Sequence, residues 1–128
     1  LKLGLKLHEA LELTDFVNPD LNLIEDEFIR NKVDAFLHNG ILKDLSNANI
    51  YKEHEFIYEK DNMLYNGIID LMIEYNDHID IIDYKTENID DENYQKQLQG
   101  YKDYVSTLTD KKINTYLYSI LREEVKQV

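Results

Sequence analysis

The spacing of apolar residues changes along the chain from a helical period to an extended one. Apolar positions first recur every three or four residues, which predicts amphipathic helices over residues 3–16 and 24–37. The segment Asn18-Pro19-Asp20 separates them, because proline lacks the amide donor and restricts the residue before it. The pattern also allows a short third helix over residues 41–45.

Three segments rich in isoleucine and tyrosine then alternate with a period of two. They predict strands over residues 50–59, 63–74 and 79–85. A helical period returns over residues 90–108, and residues 113–121 alternate as a last strand. The order α-α-β-β-β-α-β predicts an α/β (α+β) domain, with one central mixed sheet of about four strands flanked by helices.

Composition narrows the classes of function. A length of 128 residues fits one domain, so residues 1–128 are predicted to form a single unit. The net charge of −12 excludes a domain that holds nucleic acid through a broad basic surface. The absence of cysteine excludes disulfides, thiolate zinc sites and an iron–sulfur cluster. No apolar run reaches the roughly 20 residues of a membrane span, so no membrane partner is expected.

The hairpin between the strands predicted over 63–74 and 79–85 is the most informative segment. Asn76-Asp77 suits the centre of a tight turn, because both residue types tolerate positive φ. Pairing the two strands outward from this turn places Asp70 directly opposite Asp83. Opposed Cβ atoms lie about 5 Å apart, and like charges at that separation are destabilising.

Two carboxylates on an apolar face should lose charge through a raised pKa or gain a cation. Lys85 follows Asp83 by two residues and therefore projects from the same face of the strand. Two interpretations stay open from the residues alone. Lys85 supplies the compensating charge in a surface ion pair with Asp83, or a divalent cation neutralises both aspartates and leaves Lys85 for chemistry.

These residues also resemble a known family. Gly67-Ile68-Ile69-Asp70-Leu71 followed by Ile82-Asp83-Tyr84-Lys85-Thr86 resembles the core of a PD-(D/E)XK nuclease of the RecB group. Three further segments agree with it in order along the chain: Gly4-x-x-x-His8 with the helical histidine motif, Glu53-His54-Glu55-Phe56 with the acidic first strand, and Tyr94-x-x-Gln97-Leu98-x-x-Tyr101 with the glutamine–tyrosine helix.

The resemblance implies a restriction-endonuclease-like core and a DNA nuclease that depends on Mg²⁺ or Mn²⁺. Asp70 and Asp83 would be metal ligands, together with the backbone carbonyl of Tyr84 and the imidazole of His8. Lys85 would orient or help deprotonate the attacking water and stabilise the developing charge.

The resemblance assigns supporting roles to other side chains. Gln97 and Tyr101 would orient the active site or contact the DNA backbone, and Tyr94 lies on the same helix face. Glu55 would bind the metal through water or hold the lysine. Glu53 has the same strand parity and is the alternative to Glu55.

The lack of cysteine separates this chain from members of the group that carry a four-cysteine iron–sulfur staple. The chain looks most like the C-terminal nuclease domain of an AddA or RecB protein. We therefore expect a domain cut from a larger polypeptide, an exonuclease in DNA double-strand-break repair. Its partners would be single strands of DNA, the helicase part of the same polypeptide and a second subunit, in the bacterial cytoplasm at the nucleoid.

Two other functions stay open. The first is a nuclease-like fold kept as a non-catalytic DNA-binding or structural module of a repair protein. The second is an acidic protein-interaction domain, which rests on the net charge alone.

Overall fold

The computed structural model describes residues 2–128, which form three α-helices and one five-stranded sheet. Leu1, the first residue of the predicted domain, lies outside the described residues. The helices are α1 (Lys2–Leu13), α2 (Glu27–Leu37) and α3 (Glu92–Ser106). The strands are β1 (Asn49–Lys60), β2 (Met63–Glu74), β3 (His78–Lys85), β4 (Lys112–Ser119) and β5 (Glu124–Gln127).

The sheet is mixed, with the strand order β1-β2-β3-β4-β5. β3 and β4 are parallel, and the other neighbouring strands are antiparallel. The predicted α+β class with a mixed sheet flanked by helices is confirmed. The expectation of about four strands is wrong, because β5 follows a turn at Glu123, where φ is 56°, and pairs with β4.

Two buried clusters, one on each face of the sheet, form the core. The cluster under α1 and α2 includes Leu7, Leu11, Val33, Phe36, Leu71, Ile73, Ile82 and Tyr118. The cluster under α3 includes Ile69, Met72, Ile79, Ile81, Leu98, Tyr101, Val105 and Leu117. Each such side chain contributes roughly 1.5–3 kcal/mol when buried. None of the helices in the described part of the chain is both long and apolar enough to cross a membrane.

The first helix is shorter than the predicted 3–16, because α1 ends at Leu13. The Thr14 hydroxyl donates to the carbonyl one turn back, which competes with further helix. The Lys52 ammonium, from β1, donates to the carbonyls at the end of the helix, those of Leu11, Glu12 and Thr14. A lysine on the C-terminal carbonyls satisfies groups that the helix itself leaves free. This contact fixes α1 to the sheet.

The second helix begins later than predicted. Asp26 is its N-cap and accepts a hydrogen bond from the Ile29 amide at 3.0 Å, so α2 starts at Glu27. The helix predicted over residues 41–45 is wrong. Asp44 has a left-handed φ of 47°, and only a single 3₁₀ turn, Leu45–Asn47, follows it.

Two tight hairpins join the first three strands. Asp61 and Asn62 connect β1 to β2 with φ values of 54° and 63°, as a type I′ turn requires. The predicted turn at Asn76-Asp77 is confirmed and closed by the Tyr75 amide donating to the His78 carbonyl at 2.9 Å. Neither Asn76 nor Asp77 adopts the positive φ that we expected there. The predicted β2–β3 register is confirmed over four pairs, which join Leu71–Glu74 to Ile79–Ile82.

Candidate active site

The sheet is interrupted around Asp70. β1 and β2 are paired on both sides of Glu53 and Asp70, but these two residues are not paired with each other, and Glu53 has a φ of 47°. The pairing of β2 with β3 ends at Leu71 and Ile82, one position before Asp70 and Asp83. The predicted pairing of Asp70 with Asp83 is therefore absent from the ladder of the described residues, although it would be the next pair in the register. Such interruptions re-aim side chains, often next to active sites.

At the interruption, the side chains of β1 and β2 also change from one face of the sheet to the other. On β1, Lys52 contacts α1, whereas the ring of His54, two residues later, stacks on Tyr104 of α3. On β2, Ile69 packs under α3 and Leu71 packs under α1 and α2. In an unbroken strand, residues two apart would share a face. Side chains from both faces thus meet at the break.

The backbone of Tyr84 is freed by the break and is bound by two of the predicted site residues. Its N–H donates to Asp70 Oδ2 at 2.8 Å. Its carbonyl accepts from His8 Nε2 at 3.2 Å, and this nitrogen lies 3.7 Å from the same Asp70 oxygen. The structure thus brings together the imidazole, the carboxylate and the carbonyl that the sequence predicted as ligands.

His8 is held as an imidazolium in this arrangement. The Asp70 carboxylate is the main cause that raises the pKa of His8 to about 9, against the lowering effect of burial. The other ring nitrogen, Nδ1, donates to the Gly4 carbonyl at 2.9 Å. With both nitrogens bound to acceptors, the proton on His8 supplies a positive charge beside Asp70.

Gly4 positions the helix that carries His8. A Cβ added at Gly4 would lie 2.7 Å from the Thr86 hydroxyl oxygen, directly after β3. A glycine at this position lets the first turn of α1 approach the end of β3 closely. His8 follows one turn later, which explains the spacing of the Gly4-x-x-x-His8 motif in physical terms.

Asp83 carries a buried carboxylate that contacts a single cation within residues 2–128, the ammonium of Lys85. The residue is 3% exposed, so its carboxylate is almost fully removed from solvent. Lys85 Nζ lies 2.8 Å from Oδ2 of Asp83 and forms an ion pair with it. Burial, and next the charge of Asp70, raises the pKa of Asp83 to about 7. The ion pair with Lys85 therefore does not fully compensate the carboxylate.

Lys85 is held in place by α3. Its ammonium donates to Gln97 Oε1 at 2.9 Å, and Gln97 Nε2 donates to the Tyr101 hydroxyl at 2.9 Å. The ammonium also lies 4.2 Å from the centre of the Tyr94 ring, within the range of a cation–π interaction. The three residues predicted on this helix face therefore all act on Lys85, directly or through Gln97.

The structure places Glu53, the alternative to Glu55, beside Asp70. Glu55 is exposed, whereas Glu53 is half-buried and interacts with Asp70. Burial, and next the charge of Asp70, raises the pKa of Glu53 to about 7. The left-handed backbone of Glu53 turns the strand between the two glutamates, and no local feature of the sequence marks this position.

Most of the predicted residues line one cavity of about 520 Å³ at the end of β3, among them His8, Asp70, Asp83, Lys85 and Gln97, whereas Tyr94 and Glu55 do not line it. A second cavity, of about 690 Å³, lies between α1 and α2 and contains none of them.

The donors in this cavity suit a hard divalent cation. Carboxylate oxygens and a backbone carbonyl match the oxygen preference of Mg²⁺ and Mn²⁺, and the imidazole favours the transition metal Mn²⁺ over Mg²⁺. The buried carboxylate of Asp83, beside the charge of Asp70, also fits a cation. Within residues 2–128, however, no three His, Asp or Glu side chains have their donor atoms gathered closely enough to hold a metal ion. Two of the expected metal ligands, the imidazole of His8 and the carbonyl of Tyr84, are hydrogen-bonded to each other instead.

The fold and the site define an α+β domain with a carboxylate–lysine centre at a break in its sheet, and homology points to one kind of protein. The chain is 31% identical over 150 aligned residues to AddA of Clostridium beijerinckii, an ATP-dependent helicase/nuclease protein, covering 94% of this chain and 12% of that protein. Proteins of the same name from Listeria welshimeri and Clostridium acetobutylicum are 32% and 34% identical, over 63% and 58% of this chain and 7% and 6% of their own lengths. The chain thus spans 12% or less of these curated relatives. A comparison with family models finds no match.

Proposed function

We propose that the chain is a metal-dependent DNA nuclease domain of the PD-(D/E)XK type, with a restriction-endonuclease-like core. The observation that carries this proposal is the meeting of Asp70, Asp83, Lys85 and the Tyr84 carbonyl at the break in the sheet. Homology to helicase/nuclease proteins supports it. In such an assembly the domain would serve as an exonuclease in double-strand-break repair.

The carboxylates of Asp70 and Asp83 and the carbonyl of Tyr84 would hold Mg²⁺ or Mn²⁺. His8 would join as an imidazole ligand after it loses the proton that it shares with the Tyr84 carbonyl. When bound, such an ion neutralises charge on the phosphate and lowers the pKa of a bound water. Glu53, beside Asp70, would accept a hydrogen bond from water at the site.

Lys85 would act on the reacting phosphate. Its ammonium lies beside Asp83 and is held by Gln97 and Tyr94, so its position is fixed before substrate arrives. A positioned cation stabilises the charge that develops on phosphate oxygens, because it needs no reorganisation during the reaction. The same ammonium would orient the attacking water.

The net charge of −12 predicts weak DNA affinity for this chain alone. We propose that the helicase part of a larger polypeptide delivers single strands to the site, and that a second subunit is a further partner. This process would take place in the bacterial cytoplasm at the nucleoid. The names of the relatives, which join helicase and nuclease, support this proposal.

A cleavage assay on labelled single-stranded DNA with Mn²⁺ or Mg²⁺ tests the proposed function. The wild-type chain should cut, and Asp83→Ala should not. Asp80→Asn is the matched control, because Asp80 is a buried aspartate of the same strand that accepts from Asn114 outside the cavity. If the wild type cuts no better than Asp83→Ala, the nuclease proposal fails, and DNA binding without cleavage would favour the non-catalytic module.

A further inference from the structure

The cavity that contains the carboxylates adjoins a smaller cavity along α3. The smaller cavity has a volume of about 340 Å³, and the two share Tyr65, Lys96 and Gly100 as lining residues. Tyr58 and Lys60 line the far end. These five residues define a groove between the β1–β2 hairpin and α3, called here the hairpin groove. One end of the hairpin groove opens at the site.

Tyr65 offers an aromatic surface in the hairpin groove. It is 45% exposed and pairs across the ladder with Tyr58, with 5.9 Å between the ring centres. Tyr58 is half-buried and packs against Tyr104 of α3 at 6.2 Å. The Tyr65 ring is therefore supported by a second ring while part of its surface stays open. Rings of this kind bind unpaired bases of any sequence by stacking.

Gly100 leaves the wall of the hairpin groove open at α3. A glycine inside a helix lowers stability relative to alanine. Apart from the adjacent residues and the backbone of its own helix, no atom of the described chain lies within 4 Å of an added Cβ at Gly100, so packing does not require the glycine. Its position in the lining of both cavities suggests that a ligand approaches the helix backbone there.

The charges along the hairpin groove favour stacking over phosphate binding. Lys96 is exposed, but Lys60 pairs with Asp103 at 3.5 Å, and Asp61 and Asp103 line the same cavity. The two lysines are thus balanced by two aspartates. A duplex is held mainly by its phosphates and keeps its bases stacked inside, so a balanced groove with an open ring fits a single strand better.

We propose that the hairpin groove binds a nucleic-acid single strand, with one base stacked on Tyr65 and the strand passing over Gly100 toward Asp70 and Asp83. This inference rests on the proposed function, because it gives the path by which the strand reaches the carboxylates. Tyr65 precedes Asp70 by five residues on β2, a distance of about 17 Å along the strand. The stacked base therefore lies a few nucleotides from the phosphate at the site.

Binding of a fluorescent thymidine oligonucleotide, measured by anisotropy in EDTA to prevent cleavage, tests the hairpin groove. Tyr65→Ala should weaken binding by about tenfold, since it removes one stacked base, whereas Tyr65→Phe should bind like the wild type. Tyr51→Ala is the matched control, because Tyr51 is 40% exposed on β1 and does not line the groove. An oligonucleotide containing 2-aminopurine should lose fluorescence on the wild type and Tyr65→Phe, and keep it on Tyr65→Ala.

Gly100→Ala gives a test of opposite signs. The substitution should raise the melting temperature by about 3–6 °C, because alanine favours helix and meets no atom of the neighbouring segments. The same substitution should weaken oligonucleotide binding, because the methyl group enters the path of the strand. Gln95→Ala, at an exposed position of α3 outside the groove, should leave binding unchanged.

The outcomes separate the two proposals. Unchanged affinity in both Tyr65→Ala and Gly100→Ala, or no binding of single strands by the wild type, overturns the hairpin groove whether or not the chain cuts DNA. Binding that depends on Tyr65 without any cleavage supports the groove and contradicts the nuclease proposal. With bis(p-nitrophenyl) phosphate, which has no base, the control Tyr51→Ala should keep the wild-type rate, and with oligonucleotides the KM of Tyr65→Ala should rise while that of Tyr51→Ala does not.

Discussion

Asp70 Oδ2 accepts a hydrogen bond of 2.8 Å from the backbone N–H of Tyr84. In a continued antiparallel ladder this N–H would pair with the backbone of β2, so the side chain of Asp70 replaces a rung. The Tyr84 carbonyl is left for His8. The backbone of Tyr84 therefore positions the Asp70 carboxylate and the His8 imidazole at one end of β3. Groups held rigidly in this way are typical of sites that carry out chemistry.

Replacing Lys85 with methionine should leave the fold intact and reduce cleavage by roughly 100- to 1,000-fold, because a positioned charge at the phosphate is lost. Binding of Mn²⁺ should be kept, since Asp83 loses a competing cation. Single-turnover cleavage and calorimetric titration measure the two effects. Lys111→Met, which breaks an ion pair with Glu74 outside the site cavity, is the control. Wild-type cleavage by Lys85→Met would contradict the assigned role.

Gln97→Ala should lower kcat by about tenfold or more with little change in KM, because the Lys85 ammonium loses the acceptor that fixes it. Tyr101→Phe breaks only the outer hydrogen bond and should cost about two- to tenfold. Steady-state kinetics on single-stranded DNA measure both. Equal kinetics of Gln97→Ala and the exposed control Gln95→Ala would argue that Gln97 has no positioning role.

Asp83→Asn should stabilise the metal-free chain at pH 8 while it abolishes cleavage. The pKa of Asp83 is raised to about 7 in the folded state, so folding favours its protonated form. That contribution is present at low pH and is lost as the pH rises through about 7, which leaves an unfavourable buried charge. The gain of the variant should be on the order of 1 kcal/mol at pH 8 and should shrink toward pH 5.

Urea denaturation in EDTA at several pH values measures this difference. The ionisation of His8 also makes the folded state less stable as the pH rises, because the pKa of His8 is raised to about 9. Its stabilising contribution is complete below pH 6.5 and is lost as the pH rises through about 9. If the difference in stability between the wild type and Asp83→Asn does not change with pH, the carboxyl of Asp83 does not ionise near pH 7.

Lys52→Met should destabilise the chain by about 1–3 kcal/mol, because the last carbonyls of α1 lose their donor. Cleavage should also fall, because α1 carries His8. Thermal and urea unfolding measure the loss, and Lys102→Met, an exposed lysine of α3, serves as the control. Equal stability of the two variants would show that Lys52 is not a structural cap.

The β2–β3 register could be predicted because a tight turn and a local alternation determine it together. Asp70 and Asp83 were placed next to each other for that reason. The break at Glu53 could not be predicted, since pairing rules assume a continuous ladder and a left-handed glutamate leaves no mark in the sequence. The sequence therefore left Glu53 and Glu55 as alternatives, and the break places Glu53 beside Asp70.

Other features depend on contacts between distant segments. The four residues Glu124–Gln127 have no apolar alternation and become a strand only by pairing with β4. The hairpin groove joins Tyr65 on β2 to Lys96 and Gly100 on α3, so no local pattern of the sequence could show it. Local periodicity was therefore sufficient for the main elements and insufficient for the surfaces between them.

A crystal of the chain grown with Mn²⁺ and measured for anomalous scattering tests the metal-dependent centre most directly. We predict one anomalous peak bonded to carboxylate oxygens of Asp70 and Asp83 and to the Tyr84 carbonyl, and no peak there in crystals of Asp83→Asn. An active chain whose Mn²⁺ lies elsewhere, or whose site stays free of metal at saturating Mn²⁺, would contradict the proposal.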